Sequence, residues 1–190
     1  MKPNEHLLWK ELSRKKILST RVFDIYEVDR ASASGLRTEF VIMHSSNWVN
    51  VVPVMQDTRG RECFLMVHQF RQAGQILTIE FPGGVLDEGE TPAEGAAREL
   101  LEETGYKAGK LSLAGKVMAN PAIMDNWVYT FVAEDLVKNG DQNLDEHEEV
   151  DYELIPVKEV EKQMGSGPYC HVIMMAALDW YNRWKRRENA

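Results

Sequence analysis

Between Gly84 and Tyr106 the chain runs from a glycine-containing loop into an acidic helix, and no other stretch limits its fold and chemistry as tightly. Thr91 stands where an N-cap belongs, Pro92 takes the first helical position and Glu94 the third, which together make a capping box. Gly105 is the natural stop. On such a helix Glu99, Glu102 and Glu103 fall at i, i+3 and i+4 and crowd one face, while Leu100 and Leu101 turn toward a core. Carboxylates that close repel one another and need compensation. Arg98 can supply part of it, through Glu102 four residues on or by reaching back to Glu90. A hard divalent cation, which binds oxygen ligands, would supply the rest. A plain solvated acidic face is the alternative reading of such a charge run.

A length of 190 residues suits one domain, or one domain with a small appendage, and 44% hydrophobic content is enough for a packed core. The net charge of −8 argues against a nucleic-acid or membrane-surface protein held by electrostatics. Apolar runs such as Val172–Leu178 are far shorter than a membrane span, and Met1–Glu5 lacks the apolar core of a secretory signal, so a cytoplasmic protein is expected. Cys63 and Cys170 form no metal motif or disulfide framework and read as reduced and structural. His6, His44, His68, His147 and His171 show no ligand spacing.

Along the chain, Leu7–Ser13 reads as a short lead-in, followed by strands over Lys15–Arg30, Leu36–His44 and Asn47–Met55. Residues 31–35 are a flexible turn. Val22, Tyr26 and Val28 share one parity and Phe23 and Ile25 the other, so this β unit carries apolar residues on both faces and calls for a partner. Asp57–Gly60 is a turn joining Trp48–Val54 and Glu62–Phe70 into a hairpin. A short strand over Leu77–Phe81 leads through Pro82, Gly83 and Gly84 into the acidic helix, and glycine there lets the backbone approach a ligand. Further strands are expected over Ala108–Met118, Val128–Ala133 and Val150–Pro156, with Trp127 buried in the sheet. Lys138–Glu149 has the polar, acidic composition of a mobile loop. Helices over Val157–Met164 and Cys170–Arg187 close the chain, the second packing Trp180, Tyr181 and Trp184 on its apolar side. Mixed strands with helices on both faces make an α/β/α sandwich.

Gly84, Glu90, Arg98, Glu99, Glu102, Glu103 and Gly105 match every fixed position of the Nudix hydrolase signature, which the chain therefore resembles; Tyr106 stands where the pattern has an aliphatic residue. The resemblance implies an α/β Nudix fold, an α/β/α sandwich with a mixed central sheet. Residues 1–46 would form a small N-terminal antiparallel β appendage, serving dimerisation and substrate cover, and residues 47–190 the hydrolase domain. It also implies hydrolysis of a nucleoside diphosphate linked to another group, with Mg2+ as cofactor and Mn2+ as a substitute. Glu99 and Glu103 would be the main metal ligands, Glu102 would support them or hold a further ion, and the Gly83 carbonyl would complete the shell. Arg98 would orient a carboxylate, with Glu90 as its partner.

Outside the signature the chain resembles the ADP-ribose pyrophosphatase and nucleotide-sugar branch. Pro121 falls sixteen residues after Gly105, Arg71 ends the Gln69-Phe70-Arg71 strand, and Glu80 lies four residues before Gly84. Arg71, Glu80 and Pro121 would contact substrate. The run 145–149 resembles the loop that carries a catalytic glutamate, which puts Glu146 at the base position and Glu148 next to it. Two departures leave the sugar open: Ala122, not glycine, follows Pro121, and Asn126 replaces an acid found in some relatives. The branch implies a nucleotide-sugar substrate, ADP-ribose first, and a homodimer. Hydrolysis of a nucleoside triphosphate, dinucleoside polyphosphate or capped RNA is a second reading, and a non-catalytic nucleotide-sugar sensor a third.

Overall fold

The computed structural model describes residues 4–188; Met1 to Pro3, part of the stretch read above as lacking a leader's apolar core, lie outside the described residues, as do the last two. The chain divides into two compact units, one holding the residues up to Ser46 together with Met118–Asn126, the other Asn47–Val117 and Trp127 onward. Among the described residues no helix is long and apolar enough to cross a membrane.

In the smaller unit β1 (Trp9–Ser19), β2 (Asp24–Ser32) and β3 (Arg37–His44) form an antiparallel sheet in that order. The expected lead-in is thus mostly strand, and the expected single strand over Lys15–Arg30 is broken by a turn. Thr20 makes that turn without glycine or proline: its hydroxyl accepts from the backbone N–H groups of Val22 at 3.2 Å and Phe23 at 3.0 Å. Its own N–H donates to the Phe23 carbonyl at 3.0 Å. Side-chain hydroxyls that satisfy the backbone in this way substitute for the usual turn residues. Gly35, at φ +90°, turns β2 into β3. The 118–126 excursion docks on β3, where the Met43 N–H donates to the Ile123 carbonyl at 2.7 Å and His44 Nδ1 meets the Asp125 carboxylate at 3.0 Å.

The larger unit contains β4 (Trp48–Gln56), β5 (Glu62–Arg71), β6 (Ile76–Glu80), β7 (Gly83–Val85), α1 (Pro92–Thr104), β8 (Tyr106–Lys107) and β9 (Lys110–Met118, its last residue counted with the smaller unit). β10 (Trp127–Glu134), β11 (Val137–Lys138), β12 (Val150–Pro156), α2 (Val157–Gln163) and α3 (Val172–Glu188) follow. The sheet runs β12-β5-β4-β10-β9, with β4 and β10 parallel, which makes it mixed. β8 and β11 form a small antiparallel pair of their own. The hairpin expected around Asp57–Gly60 is present but pairs only Val54–Gln56 with Glu62–Phe64. Beyond that the two strands fork. β6 takes the freed edge of β5, β7 takes that of β4, and the Pro82 carbonyl accepts from the Val51 N–H at 2.8 Å.

Because side chains alternate across a strand, β4 and β10 serve two helices at once. Val49, Val51, Phe131 and Ala133 face α1 and pack with its Ala96 and Leu100. The register Val54↔Phe64 puts Phe64 on the opposite face, where its ring meets Tyr181 of α3 edge-on at 4.9 Å. Helices on both faces follow from that alternation. Trp127 departs from expectation: as the first residue of β10 it stays 37% exposed, with Lys116 Nζ over its ring at 4.5 Å.

Candidate active site

The signature helix starts as its sequence dictates. The Glu94 N–H donates to the Thr91 hydroxyl at 3.3 Å and the Thr91 N–H to the Glu94 carboxylate at 2.9 Å, so the capping box is closed in both directions. Gly105 ends the helix at φ +70°. Leu100 is fully buried and Leu101 half-buried.

The fork in the sheet brings Gly83 and Gly84 against this helix. At Gly83 a Cβ would run into the Val49 carbonyl, which excludes larger residues, and at Gly84 it would stand 2.7 Å from the Glu99 carboxyl carbon, so a side chain there would displace that carboxylate. The Gly83 N–H donates to Glu103 at 2.9 Å. Arg98 reaches every partner open to it: its guanidinium donates to Glu90 through Nε and Nη2, each at 2.9 Å, to Glu99 at 2.9 Å and to Glu102 at 3.0 Å. It also donates to the Val85 carbonyl at 3.0 Å, tying the helix to the loop before it. These charge-assisted bonds orient Glu99 and Glu102.

Arg98 does not neutralise the cluster. Burial lifts the Glu99 carboxyl to about 7 in spite of Arg98, with the charges of Glu102 and Glu148 adding to the rise. Glu103, 2% exposed, is raised well above the usual carboxylate range, first by burial and then by Glu99 and Glu148, against the hydrogen bond from Gly83. Buried, mutually repelling carboxylates with this donor set fit a hard cation that would replace their protons. As the side chains stand, no group of three such ligands is assembled among the described residues: Arg98 holds two of the carboxylates and the Gly83 N–H the third.

A second polar centre lies along the antiparallel β5–β6 pair, where Arg71, the last residue of β5, reaches back to Glu80, the last residue of β6. Glu80 is fully buried and accepts two bonds from Arg71, Nε at 2.8 Å and Nη2 at 2.6 Å. Thr78 donates to it at 2.7 Å and His171 Nδ1 stands 2.8 Å away. Burial alone would raise the Glu80 carboxyl, but these donors, led by Arg71, bring it down to about 2. The pairing leaves Nη1 of Arg71 for another anion, and the charges of Glu103 and Glu148 bear on the same guanidinium.

Of the remaining candidates, Glu148 lies in an exposed turn, its N–H donating to the Asp145 carbonyl at 3.0 Å, and its charge bears on Glu99, Glu103 and Arg71. Glu146 is exposed in the same turn. Pro121 belongs to the smaller unit, in the 118–126 excursion. Sequence reasoning missed Thr78 and His171 on Glu80, and it read Lys138–Glu149 as a mobile loop. The first half of that segment is in fact pinned to the end of α1.

The sheet, the capped helix and its buried carboxylates define a hydrolase scaffold, and residues 47–172 match the model of the NUDIX domain. The chain belongs to the Nudix family. It is 32% identical to the ADP-ribose pyrophosphatase of Bacillus subtilis over 158 residues, 83% of each chain. With the ADP-sugar pyrophosphatase of Mus musculus it shares 40% identity over 79 residues, 42% of this chain and 36% of the relative. A crystal structure of an ADP compounds hydrolase superposes with a TM-score of 0.81 over 95% of both chains at 22% identity, which supports the fold. Within the family these relatives point to the ADP-ribose pyrophosphatase branch, and the chain is a Nudix pyrophosphatase-type hydrolase.

Proposed function

We propose that this enzyme hydrolyses the diphosphate of a nucleoside diphosphate sugar, ADP-ribose being the first candidate, to a nucleoside monophosphate and a sugar phosphate in a reaction dependent on Mg2+, for which Mn2+ can substitute. The observation that carries the reading is the pair Glu99 and Glu103, two desolvated carboxylates on the signature helix whose raised pKa values a divalent cation would relieve. Glu99 and Glu103 would hold the ion, with Glu102 and the Gly83 carbonyl in support. When bound, it supplies charge neutralisation of the diphosphate and acidification of a water. Arg98 keeps Glu99 and Glu102 facing the site. Arg71, fixed by Glu80, offers Nη1 to a phosphoryl oxygen. A glutamate of the 145–149 turn would take the proton of the attacking water; the closeness of Glu148 to the cluster favours it over Glu146.

The smaller unit supports a nucleotide substrate. It holds a cavity of about 400 Å3 lined by Trp9, Arg30, Phe40 and Pro121, among others. Trp9 and Phe40 meet edge to face at 5.4 Å, an aromatic lining suited to a base. Leu12, Ile17, Leu18 and Val41 are exposed on the same small sheet, which favours a homodimer. Free thiols at Cys63 and Cys170 suit the cytoplasm.

The test is product identification with a panel of nucleoside diphosphate sugars and other nucleoside diphosphate derivatives, with and without Mg2+. Full activity of Glu103→Gln would sink the ligand assignment, and ligand binding without any turnover in Mg2+ or Mn2+ would replace the enzyme by a sensor. Glu148→Gln should lower kcat more than Glu146→Gln does, with KM little changed. A monomer in light scattering would refute the dimer.

A further inference from the structure

A helix ends with carbonyls that its own turns cannot satisfy, and buried ends need outside donors. At the end of α1 and its cap Gly105, one segment, residues 138–143, supplies them. Lys138 Nζ donates to the Thr104 carbonyl at 2.9 Å, the Asn139 N–H to Gly105 at 2.8 Å and the Asn143 N–H to Glu102 at 2.9 Å. The fourth carbonyl, of Glu103, is taken by the side chain of Gln142 at 2.6 Å. The same Nε2 donates to the Val150 carbonyl at 2.8 Å. Both acceptors are backbone oxygens, so only the nitrogen end of the amide can serve them and its orientation is fixed. The one carboxamide therefore clasps three things at once: its own backbone at 142, the first residue of β12, and the helix turn that carries Glu103. Everything between the two stems is the turn bearing Glu146 and Glu148.

Lys138 reinforces the anchor. Its ammonium lies over the rings of Tyr106 at 4.9 Å and Tyr152 at 4.8 Å and donates to the Tyr152 hydroxyl at 2.8 Å. This is a use for Tyr106, which departs from the aliphatic residue of the family pattern.

We propose that Gln142 is a positioning residue that sets the height of the 143–149 turn over the carboxylates of α1, so that the glutamate of that turn meets the reacting water. The catalytic part of this rests on the function proposed above; the clasp does not. Gln142→Glu removes both donors at nearly constant shape and turns a carboxylate toward two carbonyls, Gln142→Ala removes them without adding charge, and Gln142→Lys can donate to both again.

The experiment measures amide hydrogen exchange of the full-length chain together with kcat and KM on the best nucleoside diphosphate sugar. Gln142→Glu and Gln142→Ala should speed exchange in residues 143–149 selectively and lower kcat by about 10- to 100-fold with KM little changed, the scale of a misplaced supporting group. Gln142→Lys should recover most of both. Added to whichever of Glu146→Gln and Glu148→Gln lowers kcat more, Gln142→Ala should cost nothing further, since it acts through the glutamate that this change has already disabled. Unchanged exchange in 143–149, or losses that multiply in the double variant, would overturn the proposal. If Glu146→Gln and Glu148→Gln both turn over at the full rate, the catalytic reading of the turn falls, and the exchange data still decide whether Gln142 holds it.

Discussion

Replacing Glu99 by glutamine should make the cation-free protein more stable at alkaline pH while destroying its activity. In the folded chain burial holds the Glu99 carboxyl at about 7, against an ordinary 4.5. Between these values the folded state binds more protons than the unfolded one, so stability falls as pH rises and the loss is complete above pH 7. At about 1.4 kcal/mol per pH unit, the rise amounts to about 3 kcal/mol, and it can be counted because the Glu99 side chain is only 13% exposed. Glu103 works in the same direction. Glutamine carries no charge and escapes the penalty. Urea unfolding in EDTA should therefore show Glu99→Gln to be about 3 kcal/mol more stable than the parent at about pH 8, with the gain gone near pH 4.5. If Glu99 and Glu103 hold the ion as proposed, saturating Mg2+ should reverse the order at about pH 8, since only the parent would keep both carboxylates. A variant no more stable than the parent in EDTA at about pH 8, or a gain that does not change with pH, would refute the reasoning.

Glu80 should show the opposite sign. Its carboxyl is depressed to about 2, so its contribution is complete above about pH 4.5 and is lost as pH falls toward 2. Glu80→Gln should lose up to about 3 kcal/mol at neutral pH and show correspondingly less acid sensitivity in denaturant titrations between those values. Gly84→Ala should push the Glu99 carboxylate out of place, as its Cβ would stand 2.7 Å from that carboxyl carbon. Calorimetry should find its Mg2+ affinity lowered about 10-fold or more, with far-UV circular dichroism unchanged.

The parts of the site that could be read from the sequence are those in which spacing alone fixes geometry. Thr91, Glu94 and Gly105 bound the helix by local rules, and a helical repeat then places Glu99, Glu102 and Glu103 on one face whatever surrounds them. Arg71 and Glu80 stood out singly, but their bond to each other arises from strand pairing. His171 is 91 residues from Glu80, and Gln142 is 39 from Glu103. No periodicity links such positions, and neither residue type signals its partner. The Thr20 turn escaped notice because a hydroxyl there replaces glycine or proline. Composition made residues 138–149 look unattached because it counts polar side chains and cannot show that those of Lys138 and Gln142 end on carbonyls of α1.

The fork between β4 and β5 has a consequence for how such an enzyme can diversify. The base of the fork is set by Pro82 on Val51 and by the short β4–β7 register, whereas the far ends of β5 and β6 meet at residues 72–75, which are exposed. Chain added at that tip leaves the base pairing, and with it Gly83 and Gly84, where they are. The scaffold thus separates the glycines packed against α1 from a tip that can lengthen or shorten while the β4–β7 register stays as it is.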